Sequence, residues 1–366
     1  MTYAAPKLRA VPDLDSPADG LIRAPKELQI QLEILRIAAA VAVVLLHVAA
    51  SVLSDRSTTS VQWWAGNIHE VISRWCVPVF IMISGALLLD DHKPFAPGQF
   101  YRRRVARLLW PLIFWSVAYL VYRHVHDQTS RTTLFIDTLR GEPYTHLWFL
   151  YMLIGLYAVT PLLRIVVANS DRATLTITAA LIFLIASVDR TASATLTAFT
   201  AEKNTHTFLV MWLPYTAYFL IGYILTKWPS RIGVGNTLIC VLISCAVTAL
   251  LTAYVRFYLK WPDPYYIYDW FNPIIIYMSV LVFACFTSIP LSCSPRTRVR
   301  IEYLASLTLG IYVVHPFWII TLHHFGLTGM RHPAILAIPL TAAAAFALSA
   351  ITTAAIRATP ILRRTV

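Results

Sequence analysis

The chain has 366 residues, of which 58% are hydrophobic and only 13% are charged, and its formal net charge is +12. Because an ordinary soluble protein carries about 25% charged residues, this composition excludes a soluble domain and predicts a polytopic membrane protein. A net positive charge would suggest nucleic acid in a soluble protein, but in a membrane protein it is expected in the loops on one side of the bilayer.

Short motifs exclude two kinds of chemistry. The five cysteines form no CxxC pair and have no ligand spacing with histidine, so we expect free thiols and no metal site. The chain also contains no Walker loop, no GxGxxG fingerprint and no HExxH pattern. Nucleotide hydrolysis and zinc chemistry therefore have no support in the sequence.

The apolar runs predict an all-α fold with ten transmembrane helices and no second domain. Residues 1–30 are polar and contain prolines, and we expect them to form a disordered cytoplasmic tail without a signal peptide. Residues 31–366 then form one transmembrane domain. Its apolar runs of spanning length fall at 34–54, 72–90, 108–125, 146–168, 173–189, 207–226, 234–258, 272–290, 304–325 and 333–357.

The distribution of Lys and Arg predicts the orientation. With both termini in the cytoplasm, roughly two-thirds of the 30 Lys and Arg residues lie in cytoplasmic segments, as the positive-inside rule expects. The fifth helix is the weakest, because Thr and Ser interrupt it. Without it, the cluster of Arg296, Arg298 and Arg300 would lie outside, which the same rule disfavours.

Ionisable residues inside the first apolar run indicate a functional site. Arg36 and His47 project from nearly the same face of a helix, roughly 16 Å apart along its axis. Arg36 would lie at the cytoplasmic mouth and His47 near the middle of the bilayer. Ionisable residues are costly there and suggest function, although a single histidine can also be a structural residue satisfied by a neighbouring helix.

A second histidine lies at a matching depth. His315 follows the start of the ninth helix by about the same number of residues as His47 follows the start of the first. The match predicts that the two side chains share one site. Pro316 has no N–H, so it loosens the local backbone ladder and frees carbonyl acceptors.

A basic segment, residues 101–107, enters the third helix from the cytoplasm. Arg104 and Arg107 share a helix face, so together they could bind one polyphosphate, although positive-inside anchoring is the simpler interpretation of such a segment. In the second helix, Ser84 and Gly85 are small residues that permit close helix packing. Ser84 could in principle be a nucleophile, but packing explains it better.

Aromatic residues collect in the outer loop 254–271. Trp261 and Trp270 lie in it, with Asp263 and Asp269 interleaved. An interfacial aromatic belt is the ordinary interpretation. The alternative is a platform on which sugar rings stack while the carboxylates accept hydrogen bonds from hydroxyl groups.

Two further outer segments are candidates for the same substrate-binding surface. His146 and Trp148, in the sequence Thr-His-Leu-Trp-Phe-Leu, are expected at the outer mouth of the fourth helix. The tryptophans of residues 62–64 also lie outside in this topology and could contribute in the same way.

The ordered set of motifs resembles the acyltransferase 3 family, especially its members that O-acetylate bacterial surface polysaccharides such as enterobacterial common antigen. The motifs run from about residue 30 to residue 325 and are Arg36-x10-His47, Pro-Val-Phe-x-x-x-Ser-Gly, Arg104-x-x-Arg107, His-Leu-Trp-Phe-Leu and Leu-Gly-Ile-Tyr-x-x-His-Pro. The resemblance implies ten helices in the bacterial inner membrane, acyl-CoA as co-substrate with no bound cofactor, and a glycan or lipid-linked glycan acceptor. It also implies that Arg36 and His47 are the essential pair.

These assignments predict a mechanism. The donor site is assigned to residues that lead inward from the cytoplasmic mouth: Arg36, Ser84, Arg104, Arg107 and Tyr312. The pantetheine arm would place the thioester beside His47, whose neutral imidazole is suited to deprotonate a sugar hydroxyl. His315 or Tyr312 would polarise the carbonyl oxygen. Direct transfer and a transient acyl-histidine both remain open.

Two other functions fit part of the pattern. A proton-coupled transporter of a small solute or lipid-linked sugar would also carry histidines at the midplane. It predicts repeated halves, which the sequence lacks, and it needs no Arg-x-x-Arg pair. A partner subunit without chemistry leaves His47 unexplained. The sequence therefore favours a membrane O-acyltransferase, with a homo-oligomer left open and nucleic acid not expected as a partner.

Overall fold

The computed structural model describes residues 26–55, 60–90, 95–200, 207–229, 232–331 and 333–366, and these form an all-α fold without strands. Residues 1–25 of the predicted tail lie outside the described part. The prediction that the tail reaches residue 30 is wrong, because α1 begins at Lys26 and buries Ile30 and Leu32. The α-helices of the described residues are α1 Lys26–Ser54, α2 Ser60–Ser73, α3 Cys76–Leu88, α4 Pro97–Val125, α5 Arg131–Arg140, α6 Trp148–Ala168, α7 Arg172–Thr200, α8 Thr216–Lys227, α9 Val234–Ala253, α10 Pro273–Ser288, α11 Pro295–His324 and α12 Ala334–Ala358.

Many of these helices are suited to a membrane. Within the described ranges, 8 are long and apolar enough to span a bilayer, or up to 9 if the bent α11 counts as one span. The chain is therefore a multi-pass membrane protein. The range of the sixth expected span, 207–226, contains only the 12-residue α8, preceded by consecutive turns.

The second expected span is longer than hydropathy alone indicates. It runs from Ser60 to Leu88 and comprises α2 and α3 together, separated by a turn at Arg74 and Trp75. Hydropathy does not detect α2 as part of a span, because the helix contains several polar residues. Asn67, for example, is buried, donates to the Ala249 carbonyl at 3.0 Å and accepts a hydrogen bond from a tyrosine hydroxyl.

Helix α3 lies at the centre of the main core. Val79, Ile81 and Met82 are fully buried there. A Cβ added to Gly85 would lie 1.9 Å from a backbone oxygen of α8, and one added to Gly222 of α8 would lie 2.0 Å from a backbone oxygen of α3. The two glycines therefore let the backbones approach closely, as the small residues of this segment predict.

Helix α1 is also central to the bundle, because it packs against α2, α3, α11 and α12. Helix α11 bends by 54° between Ser306 and Thr308. Arg357 of α12 donates to both the hydroxyl and the carbonyl of Ser306. A side chain that binds a helical carbonyl disturbs the backbone ladder, which accounts for the bend at this point.

Candidate active site

Three histidines from separate parts of the chain meet inside the bundle. The ring centroid of His47 in α1 lies 5.0 Å from that of His315 in α11 and 6.4 Å from that of His146, which directly precedes α6. The centroids of His146 and His315 are 5.3 Å apart. His146 and His315 are buried, whereas His47 is partly exposed. We call these residues the histidine cluster.

Pro316 determines the tautomer of His315. In a regular helix the N–H of residue 316 would donate to the Tyr312 carbonyl, but proline has no N–H. The His315 Nδ1 atom lies 2.7 Å from that carbonyl and 3.3 Å from the carbonyl of Ile311. Since carbonyls only accept, Nδ1 carries the proton in the neutral ring.

The other ring nitrogen of His315, Nε2, is therefore unprotonated and carries a lone pair. Nε2 is buried and has no hydrogen-bond partner among the described residues. A neutral His315 can accept a proton or a hydrogen bond at this atom, but it cannot donate one from it. The predicted role of His315 in polarising a carbonyl oxygen does not fit this tautomer.

His146 is held by aromatic residues of three segments. The Tyr312 hydroxyl donates to its backbone carbonyl, and the stacked rings of Tyr119 and Tyr144 contact its imidazole at 5.1 and 5.7 Å. Burial raises the pKa of Tyr144 to about 12, so that phenol is neutral at working pH. The sequence predicted His146 at the outer mouth of the fourth helix, and the structure places its buried ring within the histidine cluster.

One cavity brings together the residues that the sequence assigned to the donor. Its volume is about 160 Å³, and its wall includes all five of them: Arg36, Ser84, Arg104, Arg107 and Tyr312. We call it the arginine cavity. Tyr312 forms its link to the histidine cluster, because the Tyr312 ring lies 5.3 Å from His146 and 5.9 Å from His315.

Two side chains of the arginine cavity have local partners. Arg36 forms a salt bridge of 2.7 Å with Glu33, so an anion that bound Arg36 would compete with this carboxylate. The Ser84 hydroxyl donates to the Phe80 carbonyl at 3.0 Å. This bond suits Ser84 to a role in packing and in lining the wall.

Two larger cavities have volumes of about 720 and 670 Å³. Both are lined by Arg190, Asp269 and Trp270, so we treat them as one aromatic groove. Arg190 and Asp269 approach to 3.9 Å. Trp148 also lines the groove, and its ring is nearly parallel to that of Trp270, with centroids 6.4 Å apart.

Helix α6 shows how the two spaces are arranged. Trp148 at its start lines the aromatic groove, whereas Tyr157 lines the arginine cavity. Nine residues of α-helix separate them by roughly 13 Å. The histidine cluster adjoins both spaces: its rings contact Tyr312 of the arginine cavity, and His146 lies two residues before Trp148 of the groove.

Some residues of the loop 254–271 line the aromatic groove, and others form contacts within the fold. Asp263 and Asp269 line the groove, while Trp261 is not among the residues lining its walls. Asp263 also accepts from the Tyr265 backbone N–H at 3.1 Å. Trp63, which the sequence suggested as a possible contributor to the same platform, is 1% exposed and packs in the core.

Sequence reasoning missed Arg74. This residue lies in the turn between α2 and α3, pairs with buried Glu70, and places its guanidinium 4.5 Å from the Trp270 ring centroid. It also lines the aromatic groove. The available signal was the Glu70/Arg74 pair, which has (i, i+4) spacing inside an apolar segment.

The sequence predicts no metal site, and the structure allows a search of the described residues. Over the described ranges, no group of three or more His, Cys, Asp or Glu side chains has the geometry to hold a metal ion. The cysteines in these ranges are free thiols.

Comparison with known proteins agrees with this architecture. A family model described as an acyltransferase domain, that of the acyltransferase 3 family, matches residues 29–354. No curated protein and no solved structure matched the chain.

Proposed function

Because the chain belongs to the acyltransferase 3 family and is a membrane acyltransferase, we propose that it moves an acetyl group from acetyl-CoA to a glycan hydroxyl. The acceptor is a surface or exported glycan or its lipid-linked precursor. The observation that carries this proposal is that the histidine cluster adjoins both spaces, the arginine cavity through Tyr312 and the aromatic groove through Trp148, which follows His146 by two residues.

The arginine cavity suits the donor. CoA carries several negative charges on its phosphates, and guanidinium groups bind phosphate oxygens through charge-assisted hydrogen bonds. Arg104 and Arg107 supply two such groups at the cavity wall. A cavity of about 160 Å³ admits only a thin chain, so the pantetheine arm would enter while the bulky nucleotide stays at the mouth.

The aromatic groove suits a glycan. Trp148, Trp270 and Tyr215 provide apolar faces, and Asp189, Asp269 and other carboxylates provide acceptors for hydroxyl groups. Arg190 adds a donor in the same wall. Aromatic rings and mixed polar groups match a neutral polyhydroxylated ring, which has apolar faces and a polar rim.

In the proposed reaction His47 is the general base. It takes the proton of the acceptor hydroxyl as the hydroxyl oxygen attacks the thioester carbon. The bare Nε2 of His315 can accept the N–H of the resulting imidazolium, since the ring centroids are only 5.0 Å apart. His315 is then a positioning residue, and transfer is direct, without an acyl-histidine.

The proposed setting is the bacterial inner membrane, with both termini in the cytoplasm. The arginine cavity then faces cytoplasmic acyl-CoA, and the aromatic groove faces the other side. Family membership is also what favours this function over the proton-coupled transporter, which the arrangement of histidines alone does not exclude.

The experiment that tests the proposal is an acetyl-transfer assay with purified protein, [¹⁴C]acetyl-CoA and a panel of glycans. We expect the wild type to hydrolyse acetyl-CoA slowly and to acetylate at least one glycan. His47→Ala should abolish transfer while CoA still binds, because the imidazole is lost and the arginines remain. Wild-type transfer by that variant would exclude His47 as the base, and radiolabel that stays on the protein after rapid denaturation at neutral pH would reveal a covalent route.

A further inference from the structure

The proposed base chemistry leaves the burial of His146 unexplained. The residue is 1% exposed, and neither ring nitrogen has a hydrogen-bond partner among the described residues. The Val313 carbonyl lies near the ring, but it does not meet hydrogen-bond geometry with either ring nitrogen, and it accepts from the Tyr119 hydroxyl at 2.8 Å. A buried polar group without a partner is destabilising, so a ligand is expected to supply the missing bond.

His146 lies where a thioester would stop. Tyr312 and Phe149 line the arginine cavity together with its arginines. The Tyr312 ring contacts the His146 ring at 5.3 Å, and the Tyr312 hydroxyl fixes the His146 backbone. A thin donor arm that passes Tyr312 therefore meets His146 and His47 together.

The neighbours of His146 favour a neutral ring. Tyr119, Tyr144 and Tyr312 surround it, and neutral phenols give an imidazolium no negative charge. A neutral imidazole always has one N–H, so His146 has a hydrogen bond to give. The Nε2 atom of His315, by contrast, carries a lone pair and cannot donate a hydrogen bond. Of the two histidines next to His47, His146 is therefore the one that can donate.

We propose that His146 is a catalytic residue that donates a hydrogen bond to the carbonyl oxygen of the bound thioester and to the oxyanion that follows. This inference rests on the proposed function. As the acceptor oxygen bonds to the thioester carbon, its proton passes to His47 and the carbonyl π electrons move to the oxygen held by His146. When the carbonyl re-forms, the C–S bond breaks and the CoA thiolate takes the proton from His47.

The test compares three substitutions at one position. His146→Phe removes the donor, while His146→Asn and His146→Gln keep an N–H near Nδ1 or Nε2 without basicity. We expect the Phe variant to lose about 10²–10³-fold in kcat, the usual cost of one oxyanion donor, with little change in the KM for acetyl-CoA. One amide variant should recover to within about tenfold of wild type and keep its pH profile.

Isotope-edited infrared spectroscopy supplies an independent measurement without acceptor. The carbonyl stretch of bound [1-¹³C]acetyl-CoA should lie at lower frequency in the wild type and in His47→Ala than in His146→Phe. His69→Asn is the matched control, because His69 is also buried but its Nδ1 is bonded to the Ala65 carbonyl at 2.7 Å. We expect that variant to keep the wild-type kcat.

Two results would overturn the inference while the proposed function stands. One is wild-type kcat in the Phe variant. The other is folded, donor-binding Asn and Gln variants that are as inactive as Phe and show no carbonyl shift, since this pattern indicates a base or a structural residue. Absence of acetyl transfer and of acetyl-CoA turnover in the wild type would instead refute the proposed function.

Discussion

Replacing Pro316 by alanine should stabilise the protein and slow its reaction. Alanine supplies the N–H that a regular helix needs at this position, and an interior proline costs a helix up to ~3 kcal/mol. The same N–H would compete for the Tyr312 carbonyl, which now accepts from His315 Nδ1 at 2.7 Å. That hydrogen bond is worth about 0.5–1.5 kcal/mol, so its loss corresponds to a fall in kcat of about 2- to 13-fold.

The prediction is specific because the same substitution is expected to raise stability and to lower kcat. Thermal unfolding in detergent and acetyl-transfer kinetics are measured on the same preparation, and ¹⁵N chemical shifts of labelled histidine report the tautomer. Pro339→Ala is the matched control, because Pro339 also lies inside a helix, α12, but does not precede or follow a histidine of the cluster. It should raise stability without changing kcat. Unchanged kcat in Pro316→Ala, with Nδ1 still protonated, would refute the role given to the proline.

Three further predictions concern the two cavities and the core. Arg104→Ala and Arg107→Ala should each weaken CoA binding by about 1–3 kcal/mol, most strongly at low salt; affinities equal to wild type at every salt concentration would make both residues simple anchors. Trp270→Ala should raise the KM for glycan by a few-fold to a hundredfold, by analogy with base stacking, and leave CoA binding unchanged in calorimetry. Gly85→Ala should destabilise the protein by at least ~1–3 kcal/mol, because its Cβ would lie 1.9 Å from a backbone oxygen of α8, whereas Gly98→Ala, with nothing within 4 Å, should not.

The sequence predicted the fold class correctly because the apolar runs carry most of the signal for membrane helices. It placed the second span too late, because the polar residues of α2 lower its hydropathy. Asn67 and His69 are satisfied by partners at 3.0 and 2.7 Å, and such tertiary bonds leave no trace in hydropathy. Helix α8 was overestimated in length for the converse reason, since residues 208–215 are apolar but form turns.

The candidate site was predictable only where helix geometry sufficed. Equal depth on two helices correctly brought His47 and His315 to one place, because the rise per residue fixes depth. His146 lies before α6, in a segment whose path depends on the hydroxyl of Tyr312. Arg74 depends likewise on the turn between α2 and α3. Neither position follows from periodicity.

The motifs predicted which residues line the arginine cavity but not their pairing with other side chains. Arg36 and Arg107 come from helices far apart in the sequence, yet they line one cavity of about 160 Å³. The sequence did not predict that Glu33 pairs with Arg36 at 2.7 Å. This carboxylate would give way, or hold the arginine in place, when a phosphate arrives.

The central claim is that donor and acceptor reach the histidine cluster from opposite ends. Proteoliposomes with the protein in one known orientation test it directly. Acetyl-CoA supplied only on the side of the arginine cavity should acetylate a glycan enclosed on the other side, and the same donor on the glycan side should not. Acetylation only when both substrates share one side would contradict the two-ended arrangement.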